Sequence, residues 1–98
     1  MLEAMKMIEV IYMKADYEPW WLFDGWEQHI IEKRTFEIEV DAQSYLNEKL
    51  EELRGKFPKE KEKDDKYWAF WSEKEVCFCE SCDDDLQVYH GIIWRDLR

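Results

Sequence analysis

Glycine is scarce in this chain: three residues in 98. No glycine-rich phosphate loop and no dinucleotide fingerprint can be assembled from them, and neither G-x-S-x-G nor H-E-x-x-H occurs. A phosphate-cradling enzyme is therefore not expected. No apolar run exceeds a few residues, so no membrane-spanning helix is expected. The opening Met1 to Val10 carries acids and no apolar h-region, so it does not read as a secretory signal. Cysteine is also sparse and odd in number, at three. Free thiols in a reducing cytoplasm are the expectation. Basic residues are outnumbered 14 to 24, which leaves a net charge of −10. Phosphate backbones and anionic lipid surfaces are bound through Lys and Arg, so neither nucleic acid nor a membrane is an expected partner. A protein with a basic surface is.

What the chain has in excess is aromatic side chains: six Trp, five Tyr and five Phe. Each buried ring removes a large apolar area from water, so few are needed to build one modest core. There are too many for all to be buried in so small a body, and the surplus belongs at the surface, where it can mark a contact face. The length fits a single domain over residues 1–98, with 1–6 a frayed extension.

Along the chain, Met7 to Lys14 is β-rich and apolar on both faces, which predicts a central strand. Pro19 ends any pairing. Asp24 and Glu27 have capping-box spacing and predict a short helix to about Lys33, with a hairpin turn at Asp24-Gly25 as the alternative. Thr35 to Val40 alternates, with Phe36, Ile38 and Val40 inward, and predicts a half-buried strand. Asp41 is the expected cap of a long helix, Ala42 to about Arg54, with Gly55 at C′. Ala42, Leu46, Leu50 and Leu53 form its apolar stripe, flanked by Tyr45 and Lys49.

Residues 58–66 contain no apolar side chain after Pro58 and predict a solvated connector. Tyr67 to Trp71 and Val76 to Cys79 read as a hairpin closed by Ser72 to Glu75, and Leu86 to Trp94 as a last strand. Gly91 in that strand marks a bulge or a close approach. The fold expected is α+β: a mainly antiparallel sheet of about five strands, one long helix on one face, and a possible short helix.

Three groups could carry chemistry. Cys79-Glu-Ser-Cys82 has C-x-x-C spacing, with Cys77 two residues earlier and His90 one strand away. Thiolates and imidazole suit zinc, but structural zinc folds normally show a second ligand pair, and buried free cysteine is common. No cofactor is favoured, and zinc is the one candidate. Redox chemistry is disfavoured because Glu80 and Asp83 to Asp85 oppose thiolate formation. The triplet Asp83, Asp84 and Asp85 fails the EF-hand pattern, since Val88 stands at the sixth place and Trp94 at the twelfth. It reads as a solvated turn able to pair with a partner's cations. His29 reads as a surface residue. His90 is the better imidazole for acid–base work with an Asp, although a structural role is the simpler reading. Trp20, Trp21 and Trp26 read as core, as contact surface, or as a division between the two.

Tyr17-Glu-Pro-Trp-Trp-Leu-Phe-Asp-Gly-Trp-Glu, Ala69-Phe-Trp-Ser-Glu and Phe78-Cys-Glu-Ser-Cys-Asp-Asp-Asp-Leu-Gln-Val-Tyr-His-Gly together resemble a family of small bacterial cytosolic proteins. That family is a domain of unknown function, number one thousand and thirty-three in its series. The similarity spans nearly the whole chain. It implies a stand-alone bacterial cytoplasmic domain, and no activity, cofactor or site residue. Some members carry a DNA-binding label, against which the −10 charge stands.

The functional expectation is a non-enzymatic protein-interaction domain. Its contact face draws on Trp20, Trp21 and Trp26 with Asp83, Asp84 and Asp85. The alternatives are a zinc domain built on Cys79 and Cys82 with Cys77 or His90, and an enzyme using His90 and an Asp.

Overall fold

The computed structural model describes the backbone of residues 7–79 and 84–97, and the same side chains apart from 77–79, 84 and 85. The expected extension at 1–6 lies outside the described residues.

Five strands form one antiparallel sheet: β1 (Ile8–Ala15), β2 (Ile30–Phe36), β3 (Lys59–Lys63), β4 (Tyr67–Trp71) and β7 (Tyr89–Asp96). Their order across the sheet is β2-β1-β7-β4-β3. Two further strands, β5 (Val76–Cys79) and β6 (Asp84–Gln87), pair with each other in a separate two-stranded sheet. A single long helix, α1 (Glu39–Lys56), follows β2. The architecture is α+β, with the helix on one face.

Alternation along β1 feeds two cores. Val10 and Tyr12 join Trp68, Phe70 and Ile92 beneath Leu46, Leu50 and Leu53 of α1. Burial of each of those leucines contributes about 1.5–3 kcal/mol. Ile11 and Met13 point to the opposite face, where they meet Ile93 and Trp26. Among the described residues no α-helix covers that second face. It is covered by the segment between β1 and β2, which crosses the sheet and makes one 3-10 turn at Trp26–His29.

Several boundaries differ from the sequence expectation. The short helix is only that 3-10 turn, entered through Gly25 at φ 83°. The strand expected at Thr35 to Val40 lies earlier, at Ile30–Phe36, and Ile38 and Val40 are exposed. Their alternation is a coincidence of helix entry: Ile38 is the N-cap and carries no side-chain cap bond. Asp41 is therefore not the cap but sits in the first turn with Glu39, where acids suit the positive helix end. Gly55 is inside α1, and Phe57 closes it by donating its backbone N–H to the Leu53 carbonyl at 2.9 Å.

Within the segment 58–66 lies β3, whose five residues are all exposed. An edge strand with both faces in water has no need of apolar residues. The hairpin expected between β4 and β5 does not form, because β4 pairs with β3 and β7. The last strand is two strands, parted at Val88, whose N–H donates to the Glu75 carbonyl at 3.2 Å. Gly91 is a close-approach point: a Cβ there would stand 2.7 Å from Pro19 Cβ.

Candidate functional site

The segment covering the second face is held at both ends. Pro19 packs on Gly91, and Trp26 is 9 % exposed within the core. Between these anchors the backbone turns twice. Trp21 N–H donates to Glu18 O at 3.3 Å and Trp26 N–H to Phe23 O at 2.9 Å. Leu22 has φ 47°, a left-handed conformation that costs a branched side chain about 1–2 kcal/mol. Its consequence is geometric. Trp21 and Phe23 are brought to the same side and stack in parallel, 5.8 Å between centroids at 1°.

The stack continues inward. The Phe23 ring meets Tyr17 edge-on at 4.8 Å, and Tyr17 meets His29 edge-on at 5.6 Å. Burial, and then the charges of Asp16 and Glu27, push the Tyr17 phenol above its ordinary range, so it stays protonated. Trp21 Nε1 donates to Glu18 Oε1 at 3.0 Å, which fixes the indole plane. His29 in turn lines a mostly apolar depression of about 290 Å³ with Lys14, Ala15, Asp16 and Val88. A ladder of rings thus runs from solvent to a shallow cavity.

Trp21 is 55 % exposed and Phe23 50 %. The same segment carries Asp16, Glu18, Asp24 and Glu27, and no Lys or Arg occurs between Ala15 and Glu32. A larger hollow lined by Ser44, Asn47, Glu48, Glu51 and Glu52 is the open outer face of α1, where polar side chains stand in water.

His90 forms a second constellation at the opposite face of the sheet. It is 7 % exposed and packs against Phe57, with ring centroids 4.3 Å apart. Its Nε2 lies 2.8 Å from Glu75 Oε1, and its Nδ1 lies 2.6 Å from the Tyr12 hydroxyl. A carboxylate only accepts, so Nε2 carries the proton and donates to Glu75. In the neutral imidazole Nδ1 then accepts from the Tyr12 hydroxyl. Lys14 Nζ stands 3.6 Å from the other Glu75 oxygen. Burial first, and then the charge of Glu75, raise the Tyr12 phenol above its ordinary range. Gln87 fixes the turn that carries Glu75, its amide reaching the Ser72 carbonyl at 2.7 Å and the Glu75 carbonyl at 2.9 Å.

The expected site residues therefore separate. Trp21 is on the surface. Trp20 is half-buried, with the Lys61 ammonium 5.6 Å from its ring. Trp26 is core, with Arg95 5.8 Å from its ring, and so is not part of an exposed face. His90 has a carboxylate partner, but it is Glu75 instead of an Asp, and both ring nitrogens are engaged.

Cys82 and Asp83 lie outside the described residues. Cys77 and Cys79 stand in β5 opposite Leu86 and Asp84, while their side chains and those of Asp84 and Asp85 are likewise outside the description. Among the described residues no three His, Cys, Asp or Glu are grouped to hold a metal. Nor is any helix among them long and apolar enough to cross a membrane.

The linear pattern does not single out Phe23, Tyr17, Tyr12 or Glu75. The unbroken run Trp20-Trp-Leu-Phe points toward Phe23. Nothing local points to Glu75, which meets His90 only after β7 is in place.

Comparison with curated proteins and with solved structures gives no match for this chain. A family model described as protein of unknown function (DUF1033) matches residues 7–96, and the chain belongs to that family.

Proposed function

We propose that the protein is a non-enzymatic interaction domain that captures a basic, apolar-anchored segment of another protein on the Trp21–Phe23 ladder. The observation that carries this reading is the exposed parallel stack of Trp21 on Phe23, held by a left-handed Leu22. A fold that hides Trp26 a few residues later accepts strain to keep Trp21 and Phe23 in water. Rigid aromatic anchors of this kind lose little side-chain freedom on binding and dominate contact energies. The acids of the same segment select the partner's charge. Asp83, Asp84 and Asp85 add negative charge to the chain in the same sense. At His90 the hydroxyl–imidazole–carboxylate chain is 7 % exposed and ties three parts of the fold together, which fits a structural role.

The test is fluorescence anisotropy of a labelled amphipathic peptide with Leu and Lys on opposite faces, titrated with the protein. Saturable binding is expected, weakened at least tenfold by Trp21→Ala with Phe23→Ala and weakened by salt. An otherwise identical peptide with Glu in place of Lys should not bind. Equal binding by the double variant, or no saturable binding at all, would overturn the reading.

A further inference from the structure

The two edges of the sheet are charged in opposite logic. The β3 edge reads Lys59-Glu-Lys-Glu-Lys63. The β2 edge reads Ile30-Ile-Glu-Lys-Arg-Thr-Phe36. An antiparallel strand can pair with a second copy of itself about a two-fold axis normal to the sheet. That axis keeps each side chain on its own face, and directly opposed residues share a face. Residues of equal parity must therefore oppose one another.

For β3 the consequence is repulsion in every register. Odd positions are all Lys and even positions all Glu, so Lys always meets Lys and Glu meets Glu. This edge is closed to self-pairing, as exposed edges commonly are.

For β2 one register is complementary. With the axis at Lys33, the midpoint of the strand, Glu32 of each copy opposes Arg34 of the other, twice. The single like pair, Lys33 with Lys33, is relieved because each Nζ already lies 3.6 Å from Glu9 Oε2. Moving the axis to residue 32 or 34 brings Glu32 or Arg34 against its own copy and loses both opposite-charge pairs.

Glu32 accepts from Lys49 at 2.9 Å, and a carboxylate has lone pairs left for a second cation. Arg34 is exposed, its guanidinium 5.0 Å from the Tyr45 ring centre. Among the described residues no strand lies beyond β2. A bulge opposite Tyr12 and Met13 leaves Ile31 without a β1 partner and limits the regular stretch to 32–36.

We infer that the chain self-associates through β2, two copies joining their sheets edge to edge about Lys33 with reciprocal Glu32–Arg34 pairs. The matched stretch is short, so the dimer is weak and depends on concentration. It is independent of the Trp21–Phe23 ladder.

Sedimentation velocity over ~10 µM to ~500 µM tests it. The wild-type protein is expected to shift from monomer to dimer. Glu32→Arg alone and Arg34→Glu alone should each weaken dimerisation about tenfold, since both create like pairs in two copies. The double exchange E32R with R34E should restore it. Both side chains reach solvent, and circular dichroism confirms that the variants fold. Lys61→Ala on the other edge, which creates no opposite-charge pair in any register, and Trp21→Ala should leave association unchanged. A monomer at every concentration overturns the inference. So does a dimer insensitive to the single changes, a double exchange that fails to restore it, or loss of the dimer in Trp21→Ala.

Discussion

The hydroxyl of Tyr12 stands 2.6 Å from Nδ1 of His90, joining β1 to β7 through their side chains as well as their backbones. The other ring nitrogen holds Glu75, so one buried imidazole ties the sheet to the turn after β4.

Removing either partner leaves a polar atom in a largely apolar place. Tyr12→Phe is expected to destabilise the fold by about 1–2 kcal/mol through the orphaned Nδ1. His90→Ala should cost more, about 2–4 kcal/mol, because it also empties the space against Phe57. Urea unfolding followed by tryptophan fluorescence measures both. Equal and negligible effects would show that the imidazole is not a structural tie.

The three clustered tryptophans should behave differently. Trp26→Ala removes a core ring and is expected to cost about 3–5 kcal/mol. Trp21→Ala should stay within about 0.5 kcal/mol of the wild type in the same unfolding experiment. A large loss of stability at Trp21 would make it a packing residue and remove the main support for the contact face.

Gly91→Ala brings a methyl group within 2.7 Å of Pro19 Cβ and 2.9 Å of its Cγ. Proline cannot rotate away, so the crossing segment must shift, at about 1–3 kcal/mol. Pro19→Gly removes the opposing atoms. In that background the same substitution should cost clearly less, which a double-mutant cycle of unfolding free energies reads directly.

The Tyr45 phenol is pushed from an ordinary 10.0 up to about 12, by burial first and then by its hydrogen bond to Glu32. The folded state therefore holds this proton where the unfolded chain has lost it. The contribution is complete below pH 10 and is lost as pH rises toward about 12. Stability should fall across that interval, and Tyr45→Phe should flatten the fall. Absorbance titration of tyrosinate ionisation, wild type against variant, identifies the group.

Metal removal is expected to change little. The histidine that could have joined Cys77, Cys79 and Cys82 has both nitrogens committed, to Tyr12 and Glu75. Dialysis against a chelator should leave the unfolding midpoint where it was. Stoichiometric zinc in the untagged protein, with a drop in midpoint on chelation, would establish a cysteine site completed by another ligand.

Periodic segments declare themselves in the linear chain. β1 and β4 are dense in apolar and β-branched or aromatic residues, and the stripe Ala42, Leu46, Leu50, Leu53 repeats at helical spacing. Local pattern fails where two explanations share it. Phe36, Ile38 and Val40 alternate like a strand, but Ile38 and Val40 belong to a helix entry. β3 has no apolar residue at all, so nothing marks it as a strand until β4 supplies its hydrogen bonds.

Composition and period are properties of short stretches, and a chain carries them without folding. They were enough to set the α+β class, the long helix, the excess of acids and the surplus of aromatic rings. Which tryptophan is buried, that Glu75 and not an Asp meets His90, and which strands stand at the edges of the sheet were settled by the folded arrangement. Each of those depends on partners distant in sequence, brought together by strand order and register.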